Sequence, residues 1–410
     1  MKGMKTLKHI ILLLLFTVTV VITANPLDSY PGVAPPPVIE AKSAVLMDYI
    51  TGEVLYQQNA HLPHPPASLT KIMTLHLVYK EIERGNLKLN DTVKIPPSAW
   101  AVNMPEGSSL MFLGPNQETT ILELMQGVGV VSGNDAAVAL AQIVAGDVDR
   151  FVAMMNREAQ SMGYTNMYFA DPSGLNANSR ITAFEFARFC RNYIKMHQDS
   201  LKDIHSLRTF SYPEQKNLIN GAKDVPITQY NRNRLLWRLD YVDGLKTGYI
   251  DKSGYNIALT AVNNGMRLIA VILGVEGSNH SDGYEKLAKN GEELLSWGFD
   301  NFETLYPENI VFKNVPVWKG EKDFIAIKPE REVVVTVAKS EVSSLSTTIV
   351  TEEVIAPVER GEVLGRLTVK SEDRIIETFD LVAEEDVSKA GLLKSIWHTL
   401  VLFTSGILQR

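Results

Sequence analysis

Cysteine is almost absent from this sequence of 410 residues. The single thiol, Cys190, excludes an internal disulfide framework and any metal site built from several cysteines. A basic excess is also missing: the formal net charge is -7, whereas nucleic-acid-binding proteins usually carry a basic surface. We find no metal-ligand or cofactor motif, so we predict neither a cofactor, nor a metal, nor a nucleic-acid partner. The hydrophobic share of 45% is sufficient for a large folded core.

The N-terminal apolar run, residues 10–22, is short for a bilayer span, which needs ~20 residues. Lys2, Lys5 and Lys8 precede this run, and the small residue Ala24 follows it. The arrangement predicts a secretory signal peptide over residues 1–24, which would place the body of the protein outside the cytoplasm. An uncleaved membrane anchor is the alternative for the same segment.

The C-terminal segment, residues 385–410, also lacks an unbroken apolar run, because Lys389, Lys394 and His398 interrupt it. Its large apolar residues fall mostly on one side of a helix, and they are Leu393, Ile396, Trp397, Leu400, Val401 and Phe403. This pattern favours an amphipathic helix that lies in the plane of a membrane surface. A helix packed against its own domain is the alternative.

Between the two ends, strand and helix patterns alternate. A proline-rich arm at residues 25–40 precedes a predicted hairpin that turns at Thr51-Gly52, and a second hairpin turns at residues 263–265. Helical patterns lie between the hairpins, over residues 67–84, 121–130, 134–161 and 183–197. Strands at both ends with helices between them predict an α+β domain over residues 41–303. We expect its antiparallel sheet and its helical cluster to share one cleft.

Two further patterns complete this organisation. Thr182 followed by Glu185 predicts a capping box at the start of the last of these helices. After about residue 304 the sequence changes to short alternating strands and turns with almost no helical period. We therefore predict a small all-β domain over residues 304–384, followed by the amphipathic segment.

The stretch "PASLTKIMT" places Ser68 three residues before Lys71 at the entrance to a predicted helix. At this spacing both side chains share one helix face. A serine hydroxyl is a weak nucleophile that needs an adjacent base, and a lysine serves as that base only when burial or a second cation lowers its pKa. A solvated helix turn is the alternative, because this pair is a weak signal on its own.

A second pattern, "VVSGNDAAVAL", places Ser132, Gly133 and Asn134 between an apolar segment and a new helix. Ser132 could relay a proton from Lys71, and the Asn134 side chain could hydrogen-bond a substrate amide. The alternative is an ordinary loop in which Asn134 or Asp135 caps the helix.

A third pattern, "VDGLKTGYI", brings Lys246, Thr247 and Gly248 next to strand-like sequence. On an edge strand, Lys246 would supply the second cation and Thr247 would bind a carboxylate. Gly248 would let the backbone come close to an extended substrate. A polar turn before a strand is the alternative.

Together, the three patterns in this chain order resemble the motifs of the penicillin-binding proteins and serine β-lactamases. Within that superfamily the chain resembles the low-molecular-mass D-alanyl-D-alanine carboxypeptidases over nearly its whole length. Supporting segments are "DPSGL" at residues 171–175, "NRNRLLW" at residues 231–237 and "LLSWGFDNFET" at residues 294–304. The resemblance implies a β-lactamase-like catalytic domain, a small all-β domain and a C-terminal amphipathic helix.

The resemblance also implies a mechanism. Ser68 would attack the carbonyl between the two terminal D-alanines of a peptidoglycan pentapeptide, with Lys71 taking its proton. The oxyanion would lie between the backbone N–H groups of Ser68 and Tyr249. Each such donor typically lowers the reaction barrier by ~3 kcal/mol. D-alanine would leave with a proton delivered through Ser132 or Lys71, and water would then release the shortened peptide.

Substrate binding follows from the same resemblance. Lys246 and Thr247 would hold the free carboxylate of the last D-alanine. An arginine beyond the paired strands can assist in such enzymes, but "EGSNHSDGYEK" has none, so Arg232 is the weaker candidate for this role. β-Lactam antibiotics should acylate Ser68. The expected location is the periplasmic face of the inner membrane, and a homodimer is left open.

Other functions are weighed against this one. A serine β-lactamase commonly needs a glutamate after the second motif, and "GYTNMYFADPSGLNANSR" has none. A D,D-endopeptidase uses the same chemistry, so the motifs do not separate it from a carboxypeptidase. A non-catalytic cell-wall scaffold has no use for a nucleophile with its base. His61 and His64 precede Ser68, but the prolines between and after them disfavour a shared helix face, and with it a Ser–His pair or a metal pair. Cys190 is better explained as a buried structural thiol than as a nucleophile.

Overall fold

The computed structural model describes Tyr30, residues 32–308 and residues 310–408. The predicted signal peptide, residues 1–24, lies outside the described residues. The described part of the proline-rich arm has no helix or strand and packs on the fold. The backbone N–H of Ala34 donates to Asn301 Oδ1 at 3.0 Å, and Trp297 Nε1 donates to the Ala34 carbonyl at 2.8 Å.

Most strands of the N-terminal part belong to one antiparallel sheet. In chain order they are β1 (Ser43–Asp48), β2 (Val54–Gln58), β3 (Thr92–Lys94), β4 (Glu118–Thr120), β5 (Thr209–Tyr212), β6 (Ile227–Tyr230), β7 (Val242–Ile250), β8 (Gly254–Asn263) and β9 (Met266–Val275). Among the described residues this sheet has the strand order β2-β1-β9-β8-β7, and β3-β4 and β5-β6 form two small ribbons. Both predicted hairpins are present, and the turns at Gly52 and Asn264-Gly265 have positive φ.

Helices cover both faces of this sheet, which explains why β1 is buried along its whole length. Val45 and Met47 pack into the core on one side, beneath the helical cluster, whereas Ala44 and Leu46 pack into the core on the other side. This alternation follows the two-residue period of a strand. The predicted α+β architecture of an antiparallel sheet with a helical cluster is confirmed.

The helices of the N-terminal part are α1 (Lys71–Glu83), α2 (Ile121–Gly129), α3 (Asn134–Ala145), α4 (Val148–Ser161), α5 (Ala183–Met196), α6 (Leu235–Arg238) and α7 (His280–Asn301). A short 3-10 helix, Ala67–Thr70, precedes α1. The single helical pattern predicted over residues 134–161 is wrong. Gly146 ends α3 with a φ of +82°, and Asp147 caps α4 by accepting from the backbone N–H of Arg150.

The helix caps also differ in part from the prediction. Thr182 does cap α5, because its side chain accepts from the backbone N–H of Glu185. The reciprocal half of the capping box is not formed, since the Glu185 carboxylate accepts from the backbone and side-chain nitrogens of Asn166 instead. The Glu185 side chain, which the local pattern assigned to the helix cap, therefore forms a tertiary contact instead.

The C-terminal part is built from short strands around its own core. They are β10 (Phe302–Leu305), β11 (Val315–Trp318), β12 (Phe324–Ile325), β13 (Ile327–Pro329), β14 (Val335–Ala338), β15 (Leu345–Thr351), β16 (Val354–Ile355), β17 (Val363–Ser371) and β18 (Arg374–Ala383). The largest described sheet here has the order β13-β18-β17-β15. Leu367, Phe379 and Leu381 are buried in its core. An all-β architecture for this part of the chain is confirmed.

The C-terminal helix α8 (Leu392–Leu408) rests on this β domain by its polar side. The backbone N–H of Lys319 donates to His398 Nδ1 at 2.7 Å, and Lys394 Nζ lies 2.8 Å from Asp323 Oδ1. Leu393 and Trp397 remain 86% and 64% exposed. The Phe403 side chain lies outside the described part. None of the helices in the described residues is long and apolar enough to cross a membrane.

A buried carboxylate joins the two domains. Asp48, at the end of β1, is fully buried and accepts from the backbone N–H of Thr51 at 2.7 Å. Its other oxygen accepts from the Thr304 hydroxyl at 2.5 Å, and the hydroxyls of Thr51 and Thr336 are 2.6 Å apart. The β1-β2 hairpin of the main sheet is thereby bonded to the β10-β14 pair.

We predict that Asp48→Ala lowers the free energy of unfolding by about 1–3 kcal/mol, because it leaves buried donors without an acceptor. Thr304→Val removes only the hydrogen bond from Thr304 to Asp48 and keeps the side-chain shape, so the loss of stability should be smaller, about 1 kcal/mol. Chemical denaturation of the two variants and the parent measures both values. An unchanged unfolding midpoint in Asp48→Ala would contradict this role of the carboxylate.

Candidate active site

Ser68 and Lys71 lie at the junction between the 3-10 helix and α1. Ser68 is the second residue of the 3-10 helix, and Lys71 is the first residue of α1. The Lys71 amine is 3.1 Å from Ser68 Oγ. The preceding residue, Ala67, has a φ of +48°, in the left-handed region that L-residues rarely adopt. A residue in this rarely adopted conformation therefore directly precedes Ser68 at the start of the 3-10 helix.

The Lys71 side chain is fully buried, so this pair is not a solvated helix turn. Its amine also donates to Asn134 Oδ1 at 2.7 Å and to the Ser173 carbonyl at 2.6 Å. Burial lowers the pKa of Lys71 to about 7; the charge of Asp171 opposes this shift and that of Arg232 adds to it. At neutral pH a substantial fraction of the amine is therefore unprotonated.

The second motif forms the turn between α2 and α3. Ser132 has a φ of +63° and is 3% exposed, and its side chain lines the same cleft as Ser68. The capping alternative is wrong for this turn. Gly133 occupies the cap position without a side-chain bond, and the Asn134 side chain accepts from Lys71. Asp135 lies inside α3, and its carboxylate accepts from the backbone N–H of Met111 as well as from that of Ala136 in the helix.

The third motif lies within β7, at the edge of the main sheet. It is therefore part of an edge strand and not a polar turn before a strand. Lys246 is 3% exposed, and burial together with the nearby charge of Lys71 holds its pKa well below the usual lysine value. Its amine donates to the Thr247 carbonyl at 2.9 Å. A Cβ on Gly248 would lie 2.8 Å from the backbone nitrogen of Ser68. Only glycine lets the strand approach the serine this closely.

The three motifs meet at one cleft of about 380 Å³. Its lining includes the predicted site residues Ser68, Ser132, Asn134, Arg232, Thr247, Gly248 and Tyr249. Arg232 is exposed, and it forms no hydrogen bond or ion pair with the described residues. The cleft is also lined by residues to which the sequence assigned no role: Gly107, Ser109, Leu175, His280 and Tyr284.

A loop at residues 171–176 supplies one contact that the sequence did not predict. The Asp171 carboxylate accepts from the backbone N–H groups of Ser173, Gly174 and Asn176 at 2.7–2.8 Å, which folds the loop around it. The loop presents the Ser173 carbonyl to Lys71. A Cβ on Gly174 would lie 1.8 Å from the Ala67 carbonyl oxygen, so this glycine is also required by a close approach. The only sequence signal was the segment "DPSGL" itself.

The two histidines before Ser68 lie outside the cleft lining. The ring of His61 packs on Phe184 with centroids 4.9 Å apart, and His64 Nε2 is 2.8 Å from the Ser253 carbonyl oxygen. Cys190 is fully buried, and burial raises the pKa of its thiol. These positions agree with structural roles for all three residues.

Chemically, the cleft combines a hydroxyl with an adjacent amine of near-neutral pKa, a second buried amine and an open strand edge. A hydroxyl with such an adjacent base is what acyl transfer through a covalent serine intermediate requires, and the strand edge leaves room for an extended substrate. Within the described part of the chain, the cleft lining holds no carboxylate that could serve as a second base.

Comparison with known proteins agrees with this geometry. A sequence model of the D-alanyl-D-alanine carboxypeptidase family matches residues 31–277, and that of the penicillin-binding protein 5 C-terminal domain matches residues 301–389. The D-alanyl-D-alanine carboxypeptidase DacA of Escherichia coli K12 is 34% identical over 373 residues, which cover 89% of this chain and 87% of that protein.

Two solved structures support the same assignment. Penicillin-binding protein 5 of Haemophilus influenzae has a TM-score of 0.78 and 34% identity, covering 87% of this chain and 100% of that one. Penicillin-binding protein D2 of Listeria monocytogenes, in its cefotaxime-bound form, has a TM-score of 0.55 and 26% identity, covering 65% of this chain and 100% of that one. The resemblance inferred from the motifs is confirmed. The chain therefore belongs to the D-alanyl-D-alanine carboxypeptidase family of serine peptidases, and it carries the C-terminal domain of the penicillin-binding protein 5 group.

Proposed function

We propose that this protein removes the terminal D-alanine from peptidoglycan pentapeptides through an acyl-enzyme on Ser68. The observation that carries the proposal is that the amine of Lys71 is fully buried and lies 3.1 Å from Ser68 Oγ. Burial lowers the pKa of Lys71 to about 7. A lysine with an ordinary pKa would be protonated and could not accept the hydroxyl proton. Lys71 therefore acts as the general base for Ser68.

The hydrogen bonds of Lys71 support its role as the acceptor of the Ser68 proton. A neutral amine has two N–H donors and one lone pair. Asn134 Oδ1 and the Ser173 carbonyl, at 2.7 and 2.6 Å, accept the two donors. The lone pair is then left for Ser68, so that the serine hydroxyl becomes the donor. Two fixed oxygens thus orient the base towards the nucleophile.

The close approach of β7 to Ser68 supports an oxyanion site between the backbone N–H groups of Ser68 and Tyr249. Gly248 has no side chain to separate the two segments. One such donor typically contributes ~3 kcal/mol to the stabilisation of the tetrahedral intermediate. The Tyr249 hydroxyl donates to Asp251 at 2.8 Å, which keeps its ring at the rim of the cleft.

The remaining motif residues act on the leaving group. Ser132 passes a proton from Lys71 to the departing amine, and the Asn134 side chain also binds the peptide. Thr247 binds the free carboxylate of the terminal D-alanine, with Lys246 as the cation beneath it. Arg232 lines the same cleft, and its exposed guanidinium would add a second positive charge for the carboxylate.

A carboxypeptidase needs this cationic end, because its substrate finishes in a carboxylate, whereas an endopeptidase substrate continues at that point.

The same chemistry applied to a β-lactam ring would leave the antibiotic attached to Ser68. The cefotaxime-bound form of the Listeria protein is consistent with that reaction.

Location at the bacterial cell envelope follows from the substrate. The signal peptide over residues 1–24 would export the chain. The exposed apolar residues of α8 would then insert into the outer leaflet of the cytoplasmic membrane, lying in its plane. The contacts of Lys394 and His398 with the β domain support this orientation, because they turn Leu393 and Trp397 away from the protein.

The first prediction concerns the nucleophile. Parent protein should release D-alanine from a peptide ending in D-Ala-D-Ala, and Ser68→Ala should reduce kcat by about 10⁵-fold or more, because the covalent route is lost. A coupled D-alanine assay measures the release, and a fluorescent penicillin reports acylation of Ser68. Labelling without D-alanine release in the parent would point to an endopeptidase or a wall-binding role and would contradict the carboxypeptidase.

The second prediction concerns pH. Because Lys71 must be neutral to accept the proton, kcat/KM should rise about tenfold per pH unit on the acid side and level off above a pH of about 7. Lys71→Arg keeps a cation that does not titrate in this range, so the rate should fall by at least about 10³-fold at every pH. An acid limb in the carboxylic range, at about pH 4, would exclude Lys71 as the base.

The third prediction concerns α8. Replacing Leu393 and Trp397 together with glutamate should abolish binding to vesicles of phosphatidylethanolamine and phosphatidylglycerol in a flotation assay, while D-alanine release in solution stays unchanged. Val225→Glu, at another exposed apolar residue, is the matched control and should still bind. Unchanged flotation of the double variant would show that this face does not contact lipid.

A further inference from the structure

Asp135, directly after the second motif, is a buried carboxylate that the mechanism above does not use. It is fully buried at the start of α3. One oxygen accepts from the backbone N–H of Met111 at 2.8 Å and of Ala136 at 2.9 Å, and the other accepts from Leu113 at 3.0 Å. Burial raises the pKa of Asp135, and these backbone donors oppose the rise. Both oxygens act only as acceptors, which is the arrangement of an ionised carboxylate.

These bonds attach a segment next to the cleft wall to the turn of the second motif. Met111 and Leu113 follow Ser109, which lines the cleft. The Ser109 carbonyl accepts from the backbone N–H of Asn134 at 2.8 Å, so the start of α3 is joined directly to the wall. The Asp135 carboxylate adds its bonds to Met111 and Leu113 beside this one. The wall and the turn therefore form one unit.

Gly133 shows how closely the carboxylate fits. A Cβ on Gly133 would lie 2.8 Å from Asp135 Oδ1 and 3.1 Å from the backbone nitrogen of Met111. Its backbone φ of -56° is open to any residue, so the requirement for glycine here comes from space and not from conformation. The smallest added side chain would push the carboxylate away from its donors.

The turn that Asp135 supports has a conformation that needs support. Ser132 has a φ of +63°, where an L-residue stays only when its surroundings hold it. Two residues later, Asn134 Oδ1 is 2.7 Å from the Lys71 amine. A shift of this turn would therefore misplace both Ser132 and the acceptor that orients the base.

Asp135 also acts on Lys71 by its charge. Besides burial, which lowers the pKa of Lys71, the charged groups facing this amine are Asp171 and Asp135, which raise it, and Arg232, which lowers it. The charges of Lys246 and Lys71 also act on each other. Removal of the Asp135 charge should therefore move the acid limb of the pH–rate profile to lower pH.

We propose that Asp135 is a positioning residue for acyl transfer, which holds Ser132 and Asn134 in register with Lys71 by binding the segment Met111–Leu113, next to Ser109 of the cleft lining. The inference rests on the proposed role of Lys71 as the base. It assigns a role in the reaction to a side chain that touches neither the substrate nor Ser68.

The test compares variants of the purified full chain in the D-alanine release assay across pH. Asp135→Asn replaces an acceptor oxygen by an amide donor facing backbone donors, so kcat should fall on the order of 100-fold, as for a displacement of ~1 Å. KM should rise by a smaller factor than kcat falls, because Lys246 and Thr247, which are proposed to bind the substrate carboxylate, are on β7, whereas Asn134 also contacts the peptide. The acid limb should move to lower pH.

Gly133→Ala separates position from charge, and it serves as the second variant if Asp135→Asn does not fold. It displaces the carboxylate and keeps its charge, so kcat should fall while the acid limb stays in place. Glu185→Gln is the matched control, since Glu185 is also a buried carboxylate that binds a loop through Asn166, but it lies outside the cleft lining. It should lose stability with kcat and pH profile unchanged.

Two results would overturn the proposal. One is a kcat in both Asp135→Asn and Gly133→Ala within about twofold of the parent. The other is a loss that thermal unfolding explains fully and that Glu185→Gln reproduces. Failure of the proposed function itself would look different, because the parent protein would then release no D-alanine, or would show no acid limb at a pH of about 7.

Discussion

The burial of the Lys71 amine is the constraint on which the site depends. An ammonium group taken out of water is costly unless oxygens surround it, and here Ser68 Oγ, Asn134 Oδ1 and the Ser173 carbonyl do so. Each oxygen comes from a different segment of the chain. Burial outweighs the attraction of Asp171 and leaves the amine near its titration point at neutral pH. One buried group thus both brings the segments of the cleft together and is the base that we propose.

The close approach of several backbones makes this burial feasible. Gly248 allows β7 to lie against Ser68, and Gly174 allows the loop of residues 171–176 to lie against Ala67. Two carboxylates, Asp171 and Asp135, then organise loops by accepting backbone N–H groups. Rigid loops matter here because acyl transfer requires the hydroxyl, the base and the oxyanion donors to be in place before the substrate arrives.

Much of this arrangement was predictable from local sequence. Hairpins, helices and the small β domain follow from periodicity and turn residues, and the three motifs were identified by residue type and order. Local rules failed where tertiary contacts competed for the same side chain. Asp135 accepts from Met111 and Leu113 as well as from Ala136 of its own helix, and Glu185 binds Asn166 in place of completing a capping box. The break at Gly146 was missed because apolar spacing continues across it.

The sequence by itself indicated the class of chemistry, because its three motifs, in their chain order, resemble those of the penicillin-binding proteins and serine β-lactamases. It also determined the antiparallel sheet, since its hairpins carry their own turn residues. Only the tertiary structure decided that Lys71 loses contact with water, that Ser173 offers it a carbonyl, and that Gly248 is in contact with Ser68. The physical reason is that desolvation and close approach arise between segments far apart in the chain, and no local pattern encodes them.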